Sequence, residues 1–128
     1  MTSWRTVARP SSVRTMTEVE RAWVGAFVEA DGSAFIVRRS GCSPSPRVYA
    51  SQREVDPIAT LLRVTGVGSI QWWKEKPSVR FQSFGRGSRT YEIWRWTVGR
   101  RNDALDILRQ CAPYSWKFQT VLEEWGSV

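Results

Sequence analysis

The chain has 128 residues, enough for one domain with a real hydrophobic core. Its 41% hydrophobic and 12% aromatic content, with eight Trp, excludes a disordered polymer. Lys and Arg number 19 against 12 acids, for a net charge of +7 and a pI near 10.2, which points to a polyanion as partner. Histidine is absent, which removes Ser-His-Asp hydrolysis, Cys-His chemistry, His-metal nuclease motifs and zinc sites built from cysteine and histidine. Any catalysis must therefore rest on carboxylates, amines, hydroxyls or metal-bound water.

Residues 1–16 carry Arg5, Arg9 and Arg14 and no acid, which predicts a basic, flexible tail ahead of a single domain at 17–128. The same composition overlaps that of organellar transit peptides. Thr17 with Glu20 reads as a capping box opening a first helix. Val19, Ala22, Trp23, Ala26 and Phe27 recur at helical spacing and carry it to about Ala30. The stretch Trp23 to Ser33, WVGAFVEADGS, then places two acids, Glu29 and Asp31, where an apolar helix stops. The adjacent small residues Gly25 and Ala26 allow close approach of a second backbone, and Gly32 is suited to a left-handed helix end. A carboxylate there opposes the helix dipole, so Asp31 needs compensation, for which a divalent cation is the natural candidate. The ordinary alternative is a core helix with a Gly cap and a solvated Asp.

Residues 33–39 read as a strand, 40–46 as a loop and Arg47 to Ser51 as a hairpin partner. Asp56-Pro57 predicts a helix start, with Ile58, Leu61 and Leu62 on its apolar face and Gly66 at its end. Val67 to Lys74 is a strand by composition, residues 79–82 alternate apolar and polar, and a turn near Gly85 and Gly87 leads to Thr90–Val98. There Trp94, Trp96 and Val98 share one face while Ile93, Arg95 and Thr97 share the other. Ala104, Leu105, Leu108 and Cys111 mark a further helix stopped by Pro113, and Phe118, Val121, Leu122 and Trp125 a last one. The fold class is α+β, an antiparallel sheet covered by helices on one face. Cys42, in a loop, and Cys111, on a helix, give no disulfide framework and read as reduced thiols of an intracellular protein. No apolar run approaches the ~20 residues of a membrane helix, so no membrane partner is expected.

The other sheet face, with its bordering loops, is the expected site for Arg38 or Arg39, Arg47, Arg53, Lys74 and Arg80. Gln82, Arg86, Arg89 and Arg95 belong to the same group. A twisted antiparallel ribbon enters the major groove, where Arg reads guanine and Gln reads adenine, while loop arginines hold phosphates. Strand one leaves both parities open, with Phe35, Val37 and Arg39 on one side and Ala34, Ile36 and Arg38 on the other.

Val24 to Gly32 resembles the motif of the LAGLIDADG homing endonucleases, with Gly25-Ala26 inverting the usual order and Glu29 replacing the first Asp. Gly66-Val67-Gly68, Trp94-Arg95-Trp96, residues 101–105 and Pro113-Tyr114 followed by Lys117 are similar to single-motif members of that family. The resemblance implies an αββαββα saddle and a homodimer whose motif helices pack through Val24, Gly25, Ala26 and Val28. It implies an intracellular enzyme that cuts a near-palindromic site in double-stranded DNA, with Mg2+ held by Asp31 of both subunits. Gln52 would position the water network and Lys117 would stabilise phosphate charge. A degenerate member that binds DNA without cutting, as a regulator or maturase does, is the leading alternative. A basic RNA-binding protein with an accidental motif ranks last, because its aromatic residues are expected in the core.

Overall fold

A computed structural model describes residues 10–76 and 90–127 of the chain. Helix α1 spans Glu18–Asp31 and opens on the expected capping box. The Thr17 N–H donates to Glu20 Oε1 at 2.8 Å and the Glu20 N–H to Thr17 Oγ1 at 3.1 Å. The Thr17 backbone N–H holds the Glu20 carboxyl below its ordinary value. Strand β1, Gly32–Val37, follows α1 without a turn, and β2, Ser45–Gln52, returns beside it.

Gly32 is extended, at φ −143° and ψ −160°, and not left-handed as expected. The chain needs glycine there for a different reason. Gly32 pairs with Ala50, and a Cβ would collide with the Tyr49 carbonyl oxygen and lie 3.0 Å from the Ala50 Cα.

Helix α2, Val55–Thr65, starts earlier than Asp56-Pro57 indicated; both residues lie in its first turn, where a missing N–H costs nothing. Its end at Gly66 is left-handed, at φ 74°. Strands β3, Ser69–Glu75, and β4, Tyr91–Val98, follow. Helix α3, Arg101–Cys111, runs into a 3-10 turn at Ala112–Tyr114, and α4, Trp116–Gly126, closes the fold. The expected strand at 79–82 and the turn at Gly85 and Gly87 lie outside the described residues.

The sheet order is β1-β2-β4-β3 with every pair antiparallel. Pairing Ala50 with Trp96 and Val48 with Val98 puts all four on the helix-covered face, where they are buried against Val24, Val28, Ile58, Leu61, Ile107 and Phe118. Each large side chain buried this way contributes roughly 1.5–3 kcal/mol. The one indole N–H in the middle of this core, that of Trp96, donates to the Val67 carbonyl at 2.9 Å.

Residues 11–16, expected as part of a flexible tail, are held to the domain. The Arg14 guanidinium donates to the Arg63 and Val64 carbonyls at 2.8 and 3.3 Å, and its N–H to the Thr65 carbonyl, so it caps α2. The Ser12 N–H donates to Asp103 Oδ1 at 2.7 Å, and Met16 is buried. Among the described residues, no helix is long and apolar enough to cross a membrane.

Candidate active site and nucleic-acid face

The last turn of α1 separates its two acids. Glu29 turns toward α4, where its Oε1 accepts from Ser115 Oγ at 3.0 Å and from the Lys117 N–H at 2.9 Å. Ser115 is the N-cap of α4, so Glu29 completes the capping of that helix and meets the positive end of its dipole. The Lys117 backbone N–H, seconded by Ser115, holds the Glu29 carboxyl below its ordinary value of 4.5.

Asp31 is exposed at the other side of the turn, and its Oδ2 accepts from Gln52 Nε2 at 2.7 Å. Gln52 ends β2 with the inward parity of Val48 and Ala50, which aims its amide toward the α1 terminus. Asp31 and Gln52 line a shallow hollow of about 430 Å³ with Ser51, Arg53, Glu54 and Ile93.

Lys117 comes to the same corner, but its Nζ donates to the Gly32 carbonyl at 2.7 Å. That ammonium meets the negative end of the α1 dipole, whose last turn holds no basic residue of its own. The compensation that an acid at a helix C-terminus requires is thus supplied in part by Lys117 and the Gln52 amide. The Cys111 thiol is no competing nucleophile, since burial pushes it up to about 12.

Whether Mg2+ fits follows from the donor set. An exposed carboxylate with one oxygen outside the Gln52 bond is a suitable hard ligand. Among the described residues, however, no group of three or more Asp, Glu, Cys or His side chains could hold an ion.

The expected dimer contact needs correction. Val24 and Val28 are fully buried in the chain's own core. Gly25 faces the 3-10 turn, where a Cβ would lie 2.8 Å from Tyr114 Cβ and 3.0 Å from the Cys111 carbonyl oxygen. Only Ala26 of the four is exposed. The helix is apolar on two sides, and the outer stripe runs through Val19, Ala22, Trp23, Ala26, Phe27 and Ala30, with the Trp23 and Phe27 rings 5.2 Å apart.

On the open sheet face, Arg47 and Arg95 line a hollow of about 630 Å³ with Phe35, Tyr49, Gln71, Trp73 and Thr97. Phe35 pairs with Arg47, which settles the parity of β1: Phe35 and Val37 face outward. Arg38 falls on the helix side and pairs with Glu124 of α4 at 2.9 Å, while Arg39 is exposed in the loop after β1. Arg53, just past β2, lies over the Tyr91 ring at 4.2 Å. Lys74 shares the parity of Trp72 and Ile70, the helix side, so its placement on the open face is corrected; it is exposed near the end of β3. Arg80, Gln82, Arg86 and Arg89 lie outside the described residues. Of the aromatic residues of this face, alternation with Arg47 marks Tyr49, whereas the side taken by Trp73 is set by the register of β3 with β4.

These elements define a mixed α/β fold, a four-stranded antiparallel sheet with four α-helices on one side among the described residues. That fold is the one seen in solved structures of the homing endonuclease I-CvuI. In its complex with the I-CreI target in the presence of Mg, with the DNA not cleaved, the match has a TM-score of 0.55 at 18% identity and covers 83% of this chain. In its complex with its own target in the presence of Ca, the TM-score is 0.53 at 18% identity over 82% of this chain. The chain spans 65% and 64% of the length of those two neighbours. No protein-family model matches the sequence, and no curated protein matches it.

Proposed function

We propose that this chain is a homing-type, site-specific endonuclease of double-stranded DNA that acts as a homodimer and belongs with the LAGLIDADG enzymes. The observation that carries this reading is the Asp31–Gln52 pair, an exposed carboxylate oriented by an amide at the C-terminus of α1 beside an arginine-bearing sheet face. The fold neighbours, a homing endonuclease on DNA with Mg or Ca, support it.

In this account Asp31 of each chain holds Mg2+, and Gln52 fixes the carboxylate rotamer. Bound Mg2+ supplies Lewis-acid stabilisation of charge at the scissile phosphate. Lys117, tethered to the Gly32 carbonyl, keeps a positive charge beside the carboxylate without neutralising it directly. The outer stripe of α1, centred on Ala26, brings two chains together on a twofold axis, so the DNA site is near-palindromic. The protein then works inside the cell, with the DNA.

A second reading, a DNA-binding protein that does not cut, is favoured by one observation: the Lys117 ammonium is already occupied by a backbone carbonyl. The test selects bound sites from a randomised or host-locus duplex library, then assays plasmid cleavage in Mg2+ by the wild type and by Asp31→Asn. Cutting by the wild type alone supports the nuclease. Selective binding with no cutting by either protein leaves the second reading.

A further inference from the structure

Negative charge that builds on a phosphate during hydrolysis is stabilised by a cationic donor already in place. Lys117 is badly placed to be that donor beside Asp31, because its Nζ donates to the Gly32 carbonyl at 2.7 Å and its backbone N–H belongs to the Glu29 cap. Another cation borders the same hollow. Arg53, the first residue past β2, lines it together with Asp31 and Gln52.

Arg53 is exposed, yet its charged end is restrained. The guanidinium carbon lies 4.2 Å from the centroid of the Tyr91 ring, whose quadrupole attracts a cation. Tyr91 alternates with Ile93 and Arg95 along β4, which sets it on the open sheet face. Two acids, Asp31 and Glu54, share the hollow with Arg53, but neither forms an ion pair with it. Among the described residues, no carboxylate or carbonyl takes a hydrogen bond from this guanidinium. Its N–H donors are oriented and unspent.

The hollow therefore offers a carboxylate and an unpaired guanidinium at the end of the arginine-bearing face. The two non-bridging oxygens of a phosphodiester match the fork of an arginine, whereas a bare carboxylate repels them. We propose that Arg53 holds the phosphate presented to Asp31, while Lys117 secures the C-terminus of α1. This rests on the nuclease reading of that corner. In hydrolysis a water oxygen bonds to phosphorus and one P–O ester bond breaks; the water gives up a proton and the departing oxygen gains one. Arginine stays protonated, so Arg53 moves no proton and acts on the charge of the non-bridging oxygens.

Fluorescence anisotropy of the full chain in EDTA tests it, on a selected duplex and on copies carrying a neutral methylphosphonate at one phosphate at a time. Arg53→Ala, melted thermally to confirm folding, should weaken the unmodified duplex and lower the slope of log affinity against log salt by about one per chain. Asp31→Asn should tighten it, since a carboxylate facing a phosphate has gone. Both effects should vanish at the same methylphosphonate. An Arg53→Ala loss that survives there, or that vanishes at a phosphate to which Asp31→Asn is indifferent, would overturn the proposal and leave the nuclease reading intact. In Mg2+, at saturating protein, Arg53→Ala should cut about 10²- to 10³-fold more slowly, with Arg53→Lys between it and wild type. Tyr91→Leu should cut about 2- to 30-fold more slowly, and Tyr91→Phe within about twofold of wild type. Cutting by Arg53→Ala at the wild-type rate would also overturn the proposal. A wild type that binds and never cuts fails the nuclease reading alone; a shared methylphosphonate then still puts Arg53 and Asp31 on one phosphate, and separate ones overturn it.

Discussion

The two sides of the last turn of α1 hold carboxylates two positions apart with opposite duties. Glu29, on the inner side, accepts from the Ser115 hydroxyl and the Lys117 N–H, so its charge is spent on starting α4. Asp31, on the outer side, accepts from one side-chain amide and is exposed. An acid bound by backbone donors moves only with the fold, whereas one held by a single side chain is oriented yet retains an oxygen for something else. The resemblance to a known motif treats both as motif acids; their partners distinguish the one that caps α4 from the one that keeps an exposed oxygen.

The comparison breaks most sharply at Asp31. Asp31→Asn should lower plasmid cleavage by at least about 10²-fold, while thermal denaturation shows a protein as stable as wild type or slightly more so, because a charge unfavourable to the α1 dipole has gone. Gln52→Ala should cut activity about 10- to 100-fold, the usual effect of losing the group that orients a metal ligand. Its signature is a raised Mg2+ requirement in a titration of the cleavage rate. Gly32→Ala strikes both sides at once, since a Cβ there collides with β2; it should cost about 1–3 kcal/mol in urea unfolding.

Glu29→Gln gives the smallest effect at neutral pH and sharpens the contrast through acid. The folded Glu29 carboxyl titrates below its ordinary 4.5, so its contribution is fully present above that pH and is lost as pH falls through the lower folded value. The wild type should therefore lose melting temperature over that acidic window more steeply than Glu29→Gln, with Glu20 sloping both proteins alike. Parallel curves for the two proteins would show that the α4 cap does not depend on the charge.

Much of this arrangement was legible in the residues themselves. Thr17 with Glu20, the alternation of Trp94, Arg95, Trp96 and Thr97, and the left-handed Gly66 are local signals, and local backbone chemistry decides them. What failed was tertiary. The motif helix is apolar on two sides, so spacing alone could not tell that Val24, Gly25 and Val28 face the chain's own core and 3-10 turn. Lys74 was misplaced because parity in β3 depends on its register with β4, which pairs Lys74 with Glu92 and Trp72 with Trp94. Gln52 and Asp31 are 21 positions apart, and only the β1–β2 hairpin brings them into contact. Lys117 and Gly32 are 85 positions apart, and only the packing of α4 beside β1 brings the ammonium to that carbonyl.

The central claim is that Asp31, and not Glu29, carries the chemistry. It is tested most directly by cleavage of a supercoiled plasmid bearing a selected site in Mg2+, comparing wild type, Asp31→Asn and Glu29→Gln at equal DNA occupancy. The account predicts double-strand cutting by wild type and Glu29→Gln, and binding without cutting by Asp31→Asn. Cutting by Asp31→Asn at the wild-type rate, or selective binding by a wild type that never cuts, would contradict it.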